Sequence, residues 1–158
     1  MLRVAEQVGV GSGASAPAVR LRGITKTFGS GAAAVPALRG IDMDIAGGQL
    51  VMLVGPSGCG KTTLVSIISG VLDADAGTAE VFGVDWKTLG TDQKAGRRGE
   101  MVGFVFQQFN LLSPMTALEN VAVPLVLRGV RYAEALDRAA EALRLVGLAD
   151  RVNSRPWQ

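Results

Sequence analysis

The chain has 158 residues, of which 48% are hydrophobic and 19% are charged, and this composition excludes a disordered tail. Its 16 basic and 14 acidic residues leave a net charge of +2, which is too small to indicate a nucleic-acid partner. The chain has no histidine and only one cysteine, which excludes the commonest metal ligand and an internal disulfide. We therefore expect a single domain whose core needs no metal or disulfide to hold it together.

The first third of the chain predicts short strands separated by turns. Residues 1–17 are rich in glycine, alanine and serine and are predicted to be a flexible N-terminal lead-in. Apolar and polar residues alternate over 19–23 and again over 41–45, which predicts two half-buried strands. The continuous apolar run at 50–54 is typical of a strand buried on both faces of a parallel sheet.

A glycine-rich turn follows at 55–60 and leads into a helix whose apolar face comprises Leu64, Ile67, Ile68 and Val71. Gly70 is predicted to end that helix. The subsequent pattern predicts a strand at 78–82, a helix at 91–98 with Lys94, Arg97 and Arg98 outward, and an apolar strand at 101–106.

Beyond residue 107 the pattern becomes helical. Thr116 and Glu119 have the spacing of a capping box before an apolar helix, which Pro124 should kink or shorten. Residues 131–146 predict an amphipathic helix with a Glu134–Arg138 pair on its surface. We therefore expect an α/β core over 18–107 and a helical subdomain over 108–158.

The turn at 55–62 matches the phosphate-binding pattern G-x-x-x-x-G-K-[ST]. Glycines allow backbone N–H groups to approach phosphate oxygens, and the helix N-terminus adds its positive dipole end. Lys61 would neutralise phosphate charge, and the Thr62 hydroxyl could coordinate Mg²⁺. The predicted nucleotide-binding residues of this segment are Gly55, Ser57, Gly58, Cys59, Gly60, Lys61, Thr62 and Thr63.

Cys59 has two interpretations. It is either a small residue that the loop tolerates or a redox-sensitive position at a helix N-terminus. The first interpretation is favoured, and under the second, alkylation of Cys59 should block nucleotide binding.

Four segments together resemble the ATPases of ATP-binding cassette (ABC) transporters. Residues 54–64 resemble their Walker A segment, 103–112 their Q-loop, 116–121 the start of their helical subdomain, and 37–42 the strand before Walker A. The resemblance extends over about residues 19–158 and is greatest to the branch of lipoprotein release and macrolide export. It implies a RecA-like P-loop NTPase core with an antiparallel β element and a helical subdomain.

The resemblance also assigns roles to single residues. Phe28 matches the aromatic residue that stacks on adenine, although it could instead be a core aromatic. Gln107 matches the Q-loop glutamine that contacts Mg²⁺ or the attacking water, with Gln108 as the alternative register and a polar strand cap as the alternative role. Lys61 and Gln107 are thus the expected catalytic residues, and Thr62 and Gln107 the expected metal ligands.

The function implied by the resemblance is coupling of ATP binding and hydrolysis to transport across a membrane, of the export type. ATP and Mg²⁺ are the implied cofactors. Transmembrane permease subunits and a second ATP-binding subunit are the implied partners. The expected location is cytoplasmic, peripheral to the inner face of the cell membrane through the permease subunits.

The family pattern continues with an L-S-G-G-Q signature motif, a Walker B strand, a D-loop and a switch histidine, and none of these occurs in the 158 residues. A chain truncated before the signature motif is expected to bind ATP without hydrolysing it, or to be a non-functional fragment. A fourth possibility, a small-molecule kinase, fits the Q-loop and helical segments poorly.

Overall fold

The computed structural model describes Arg3–Val4 and residues 16–157. The chain divides into two compact units, Met1–Val102 and Gly103–Gln158, which we call unit 1 and unit 2. The division falls a few residues before the boundary at 107 that the sequence predicts.

Unit 1 contains an antiparallel sheet of four strands, which in spatial order are β3 (Val35–Ile45), β2 (Val19–Phe28), β5 (Ala76–Val81) and β6 (Val84–Asp85). The predicted strands at 19–23, 41–45 and 78–82 are confirmed, and β2 and β3 are longer than predicted. Apolar and polar residues alternate along these strands because one face of the sheet packs on the core while the other faces water.

The core of unit 1 lies between this sheet and helix α1 (Lys61–Ile68). Leu64 and Ile67 of α1 are buried against it, as the helical spacing predicts. Val71 is half exposed because α1 ends before it. The buried apolar residues of this core are Leu21, Ile24, Leu38, Met43, Leu64, Ile67, Ala79, Val81 and Trp86.

Trp86 closes the C-terminal end of α1. Its side chain is 3% exposed, and its indole N–H donates a 2.9 Å hydrogen bond to the Ile68 carbonyl oxygen. Gly70 has a φ of +67°, and a Cβ there would lie 3.0 Å from the Trp86 ring. Glycine therefore ends the helix here both because of its left-handed backbone and because the indole leaves no room.

The apolar run at 50–54 is predicted to be a strand buried on both faces of a parallel sheet, and this prediction is wrong. Only Leu53–Val54 form a strand (β4), and it pairs antiparallel with β1 (Arg3–Val4), which lies within the predicted lead-in. Leu50 is 82% exposed. An apolar run becomes a strand buried on both faces only where strands flank it and helices cover it, and among the described residues only β1 lies beside β4.

The predicted strand at 101–106 is also not formed. Helix α2 (Thr91–Met101) extends to the start of this segment and confirms the predicted helix, and an irregular stretch follows. Val105 is 96% exposed. Within residues 16–157 no strand pairs with this segment, and an extended backbone needs such a partner to become a strand.

The prediction that the three basic residues of α2 point outward is only partly confirmed. Lys94 donates to Asp73 and Arg98 donates to the Gly70 carbonyl oxygen, and both side chains are half-buried. Arg97 is exposed beside Glu100. These contacts attach α2 to the segment that follows α1.

Unit 2 consists of helices α3 (Ala117–Leu127) and α4 (Tyr132–Leu145) followed by a short 3-10 turn at Ala149–Arg151. The capping box is confirmed, because the Glu119 carboxylate accepts from the Thr116 N–H at 2.7 Å and Thr116 Oγ1 accepts from the Glu119 N–H. Pro124 lies inside α3. Small side chains allow the two helices to pack closely, with Ala122, Ala135 and Ala139 at the contact.

The Glu134–Arg138 pair predicted on α4 is present, with a 3.8 Å separation between Nη1 and Oε1. Trp157 near the end of the described chain is 62% exposed, and the Arg155 guanidinium lies 5.4 Å from its ring centroid. None of the helices in the described part of the chain has both the length and the apolar character needed to cross a bilayer.

Candidate functional site

The phosphate loop lies between β4 and α1 in unit 1, which is the order that its sequence pattern predicts. Gly58 and Gly60 have φ angles of +77° and +95°, a conformation that favours glycine. Gly60 is buried, and a Cβ there would lie 2.6 Å from the Ala37 carbonyl oxygen and 2.9 Å from Leu38 Cδ2. The loop thus packs directly against β3, and only glycine fits at this contact.

The Lys61 side chain folds back over the loop. Its Nζ donates hydrogen bonds of 2.8 Å to the carbonyl oxygens of both Gly55 and Pro56, and it lies 3.5 Å from Cys59 Sγ. This geometry holds a full positive charge at the mouth of the loop. A phosphate group brought there would offer charged acceptors, which make stronger hydrogen bonds than neutral carbonyls.

The N-terminus of α1 faces the same loop. Its N-cap is Gly60, and among the described residues no side chain caps this end of the helix. The first-turn N–H groups of a helix need an outside partner, and the helix dipole favours a negative one. Thr62 is exposed and Thr63 half-buried in this turn, so the Thr62 hydroxyl is available as an oxygen ligand for Mg²⁺ bound with phosphates.

A cavity of about 680 Å³ lies beside the loop. Its volume is within the range of small-molecule sites. Gly58 and Cys59 form its loop side, and the middle of β3 forms the other. The lining residues are Pro36, Ala37, Leu38, Arg39, Gly40, Ile41, Gly58 and Cys59.

Phe28 is at the end of β2, paired in register with Val35 of β3. Its side chain is 46% exposed, so it is not the core aromatic that was the alternative interpretation. Val35 directly precedes Pro36, the first residue of the cavity lining. The Lys26 ammonium lies 5.9 Å from the Phe28 ring centroid. This exposed ring is available to stack on a flat ligand.

Asp75 holds the end of β2 that carries Phe28. Its carboxylate accepts from Lys26 Nζ at 2.8 Å and from the Thr27 N–H at 2.7 Å, and its own N–H donates to the Thr25 carbonyl oxygen. The hydrogen bond from Lys26, followed by that from Thr27, lowers the pKa of Asp75. The aspartate is therefore ionised near neutral pH and bound to three successive residues.

Gln107 and Gln108 lie in an exposed turn of unit 2, not at the end of a strand. The next two residues, Phe109 and Asn110, have left-handed φ angles of +34° and +49°. The ring centroids of Phe104 and Phe106, which precede this turn, lie 4.5 Å apart. The structure therefore places the predicted glutamine in a different unit from the phosphate loop, and its role remains a prediction.

Sequence reasoning missed the residues that support the loop and Phe28. Ala37 and Leu38 determine how closely Gly60 approaches β3, and Asp75 holds β2 from 48 positions away in the chain. No local pattern indicates such contacts, because they join segments that are distant in sequence.

The chain matches the model of the family described as "ABC transporter" over residues 38–157. It is 43% identical over 138 residues to the lipoprotein-releasing system ATP-binding protein LolD of Bacteroides thetaiotaomicron, with 87% of this chain and 62% of that protein covered. It is also 43% identical over 142 residues to the macrolide export ATP-binding/permease protein MacB of Marinobacter nauticus, with 90% of this chain and 22% of that protein covered.

A similar solved structure is the dimeric post-hydrolysis state of the ATP-binding cassette MJ0796 bound to ADP and Pi. The TM-score is 0.79 and the identity 34%, with 89% of this chain and 62% of that chain covered. The chain thus spans about three fifths of LolD and of the MJ0796 chain, and about a fifth of MacB.

Proposed function

The chain belongs to the ABC transporter family, and from this premise we propose that it is the ATP-binding part of an ABC transporter that couples ATP binding and hydrolysis to transport. Similarity to a LolD protein and to a MacB protein supports a transporter of the export type. The identified fold is that of a P-loop NTPase, with an antiparallel sheet and a helical subdomain.

One observation carries this proposal, namely the arrangement of the phosphate loop. The uncapped N-terminus of α1, the left-handed Gly58 and Gly60, and the Lys61 ammonium all converge on one loop. Each of these favours an anion, and a nucleoside triphosphate offers several negative charges in a row. The adjoining cavity provides room for the rest of the nucleotide.

We assign the following roles to single residues. Lys61 exchanges the carbonyls of Gly55 and Pro56 for the β- and γ-phosphates, while the Thr62 hydroxyl ligates Mg²⁺. That ion, when bound, would neutralise phosphate charge during phosphoryl transfer. Phe28 stacks on the adenine, and Gln107 contacts the metal or the attacking water. The remaining backbone contacts come from Gly55, Ser57, Gly58, Cys59, Gly60 and Thr63.

The partners in this proposal are permease subunits and a second ATP-binding subunit. The support is the MacB name, which joins an ATP-binding part to a permease, and the dimeric state of the MJ0796 cassette. Association with permease subunits would hold the chain at the inner face of the cell membrane.

The test is thermal unfolding of the chain with and without Mg²⁺ and ATP. At a ligand concentration of about 100 Kd, binding should stabilise the native state by roughly 2.7 kcal/mol. Lys61→Ala should abolish this stabilisation because it removes the charge at the mouth of the loop. Phosphate release measured on the same samples reports separately whether bound ATP is hydrolysed.

Lys87→Ala is the matched control, since Lys87 is an exposed lysine of the same unit that lies outside the loop. This variant should keep the full stabilisation by ATP. Equal behaviour of the two lysine variants, or no effect of ATP on the unaltered chain, would contradict the proposal.

A further inference from the structure

We infer that Asp75 is a positioning residue for nucleotide-base recognition, because it fixes the end of β2 from which Phe28 projects. The inference rests on the proposed function, in which Phe28 stacks on the adenine of ATP. Asp75 itself does not touch the nucleotide in this account. Its effect should therefore appear only with ligands that carry a base.

The contacts of Asp75 form a three-point attachment. Its N–H donates to the Thr25 carbonyl oxygen at 2.9 Å, and its two carboxylate oxygens accept separately from Lys26 Nζ and from the Thr27 N–H. The three residues bound are consecutive and directly precede Phe28. Rotation or fraying of this strand end would break all three hydrogen bonds together.

The end of β2 needs such an attachment, because its pairing with β3 is irregular there. The register between β2 and β3 shifts between Lys26 and Thr27, and pairing between β2 and β5 ends at Thr25 and Ala76. Regular ladder hydrogen bonds therefore do not hold Thr27 and Phe28 on the β5 side. Asp75, which directly precedes β5, supplies those contacts from its side chain instead.

The ion pair also places a charge beside the Phe28 ring. Lys26 is only 16% exposed, and its ammonium lies 2.8 Å from the Asp75 carboxylate and 5.9 Å from the Phe28 ring centroid. An ammonium within about 6 Å of an aromatic ring is attracted to the face of that ring. Asp75 therefore constrains Phe28 through both the backbone and the Lys26 side chain.

The experiment compares binding of ATP with binding of inorganic tripolyphosphate, both with Mg²⁺, by titration calorimetry on the whole chain. Tripolyphosphate engages the phosphate loop but has no base to stack. Phe28→Ala should weaken ATP binding by roughly 5- to 150-fold, the usual range for loss of one aromatic–base stack. It should leave the affinity for tripolyphosphate unchanged.

Asp75→Ala should weaken ATP binding by roughly 3- to 10-fold and also spare tripolyphosphate. In the Phe28→Ala background the same change should cause no additional loss, since there is no ring left to position. Lys26→Met and Asp75→Asn provide milder tests if Asp75→Ala impairs folding. Each should show the same selective loss of ATP affinity.

Asp73→Ala is the matched control. Asp73 also accepts from a lysine that is 16% exposed, Lys94, but this lysine belongs to α2 and not to β2. The variant should keep the ratio of ATP affinity to tripolyphosphate affinity. A purely stabilising role for Asp75 would leave that ratio unchanged as well, and this outcome would overturn the inference.

The remaining outcomes separate the two proposals. If the unaltered chain binds both ligands and the Asp75 variants bind ATP normally, only the positioning role is rejected. If the unaltered chain binds ATP no better than tripolyphosphate, base stacking and its positioning are rejected while the phosphate loop retains its function. If it binds neither ligand, both proposals are rejected.

Discussion

Two helix N-termini in this molecule are built in opposite ways. The start of α3 is closed, because the Thr116–Glu119 capping box and the carbonyl oxygens of Val152 and Ser154 accept its first N–H groups. The start of α1 has a glycine N-cap and, within the described residues, no side-chain cap. A fold normally satisfies its helix ends.

In the proposed function, the uncapped start of α1 is the end that receives the phosphate groups of the ligand. Serine, threonine, aspartate and asparagine are preferred N-caps, and glycine stabilises a helix end less well. Here Gly60 is required for a different reason, since its φ and its contact with Ala37 exclude any side chain. In the proposed function, a bound phosphate group supplies the stability that a cap would otherwise contribute.

The largest effect is expected from Gly60→Ala, which would destroy the open end. The new Cβ would lie 2.6 Å from the Ala37 carbonyl oxygen, and the alanine would have to adopt a left-handed conformation. We therefore expect the variant to lose about 1–3 kcal/mol of stability and to be no longer stabilised by ATP. Urea unfolding with and without Mg²⁺ and ATP measures both quantities.

The comparison variant for stability is Gly58→Ala. Gly58 has a similar φ of +77°, but a Cβ there would have no described atom within 4 Å. It should destabilise the chain less than Gly60→Ala. Equal losses of stability in the two variants would show that the close contact between Gly60 and β3 adds nothing to the cost of the substitution.

A smaller effect is expected at the closed end. Thr116→Ala removes the side chain that caps α3 and should cost about 1 kcal/mol in urea unfolding. The increment of stability contributed by ATP should stay the same, because Thr116 belongs to unit 2 and caps only α3. A change in ATP affinity would contradict the proposal that the capped start of α3 is structural and the open start of α1 binds the ligand.

The smallest effect is a pH dependence at the same cap. The Thr116 N–H, and then its hydroxyl, lower the pKa of Glu119 below its ordinary value of 4.5. The ionised form is therefore favoured in the folded chain. Its contribution is present above the ordinary pKa and is lost as the pH falls through the lowered one.

Glu119→Gln should remove this contribution while keeping an oxygen that can accept from Thr116. Between pH 7 and pH 3, the stability of the unaltered chain should thus fall more steeply than that of the variant. Because other carboxylates also titrate there, the quantity to measure is the difference between the two curves. Parallel curves would contradict the assigned cause.

The features predictable from the sequence are those determined by neighbours in the chain. The phosphate loop, α1, the capping box and α4 depend on spacings of three to eight residues, and they form where predicted. A helix makes its own hydrogen bonds, so its pattern is sufficient to recognise it.

The failures concern two of the five predicted strands, because a strand needs partners from elsewhere in the chain. The apolar runs at 50–54 and 101–106 have the composition of buried strands, yet only Leu53–Val54 form a strand. Composition shows that a segment could be a strand, but pairing is a property of the whole fold. The Asp75 contacts were missed for the same reason, since they join β2 to a distant segment.

The burial of Trp86 has an optical consequence. The two tryptophans of the chain lie in different units and in opposite surroundings, Trp86 enclosed beneath α1 and Trp157 exposed to water. A buried indole emits at shorter wavelength and is shielded from iodide, whereas an exposed one is quenched. Replacing Trp157 by phenylalanine would leave Trp86 as the one tryptophan of the chain, and its emission would follow only the unit that carries the phosphate loop.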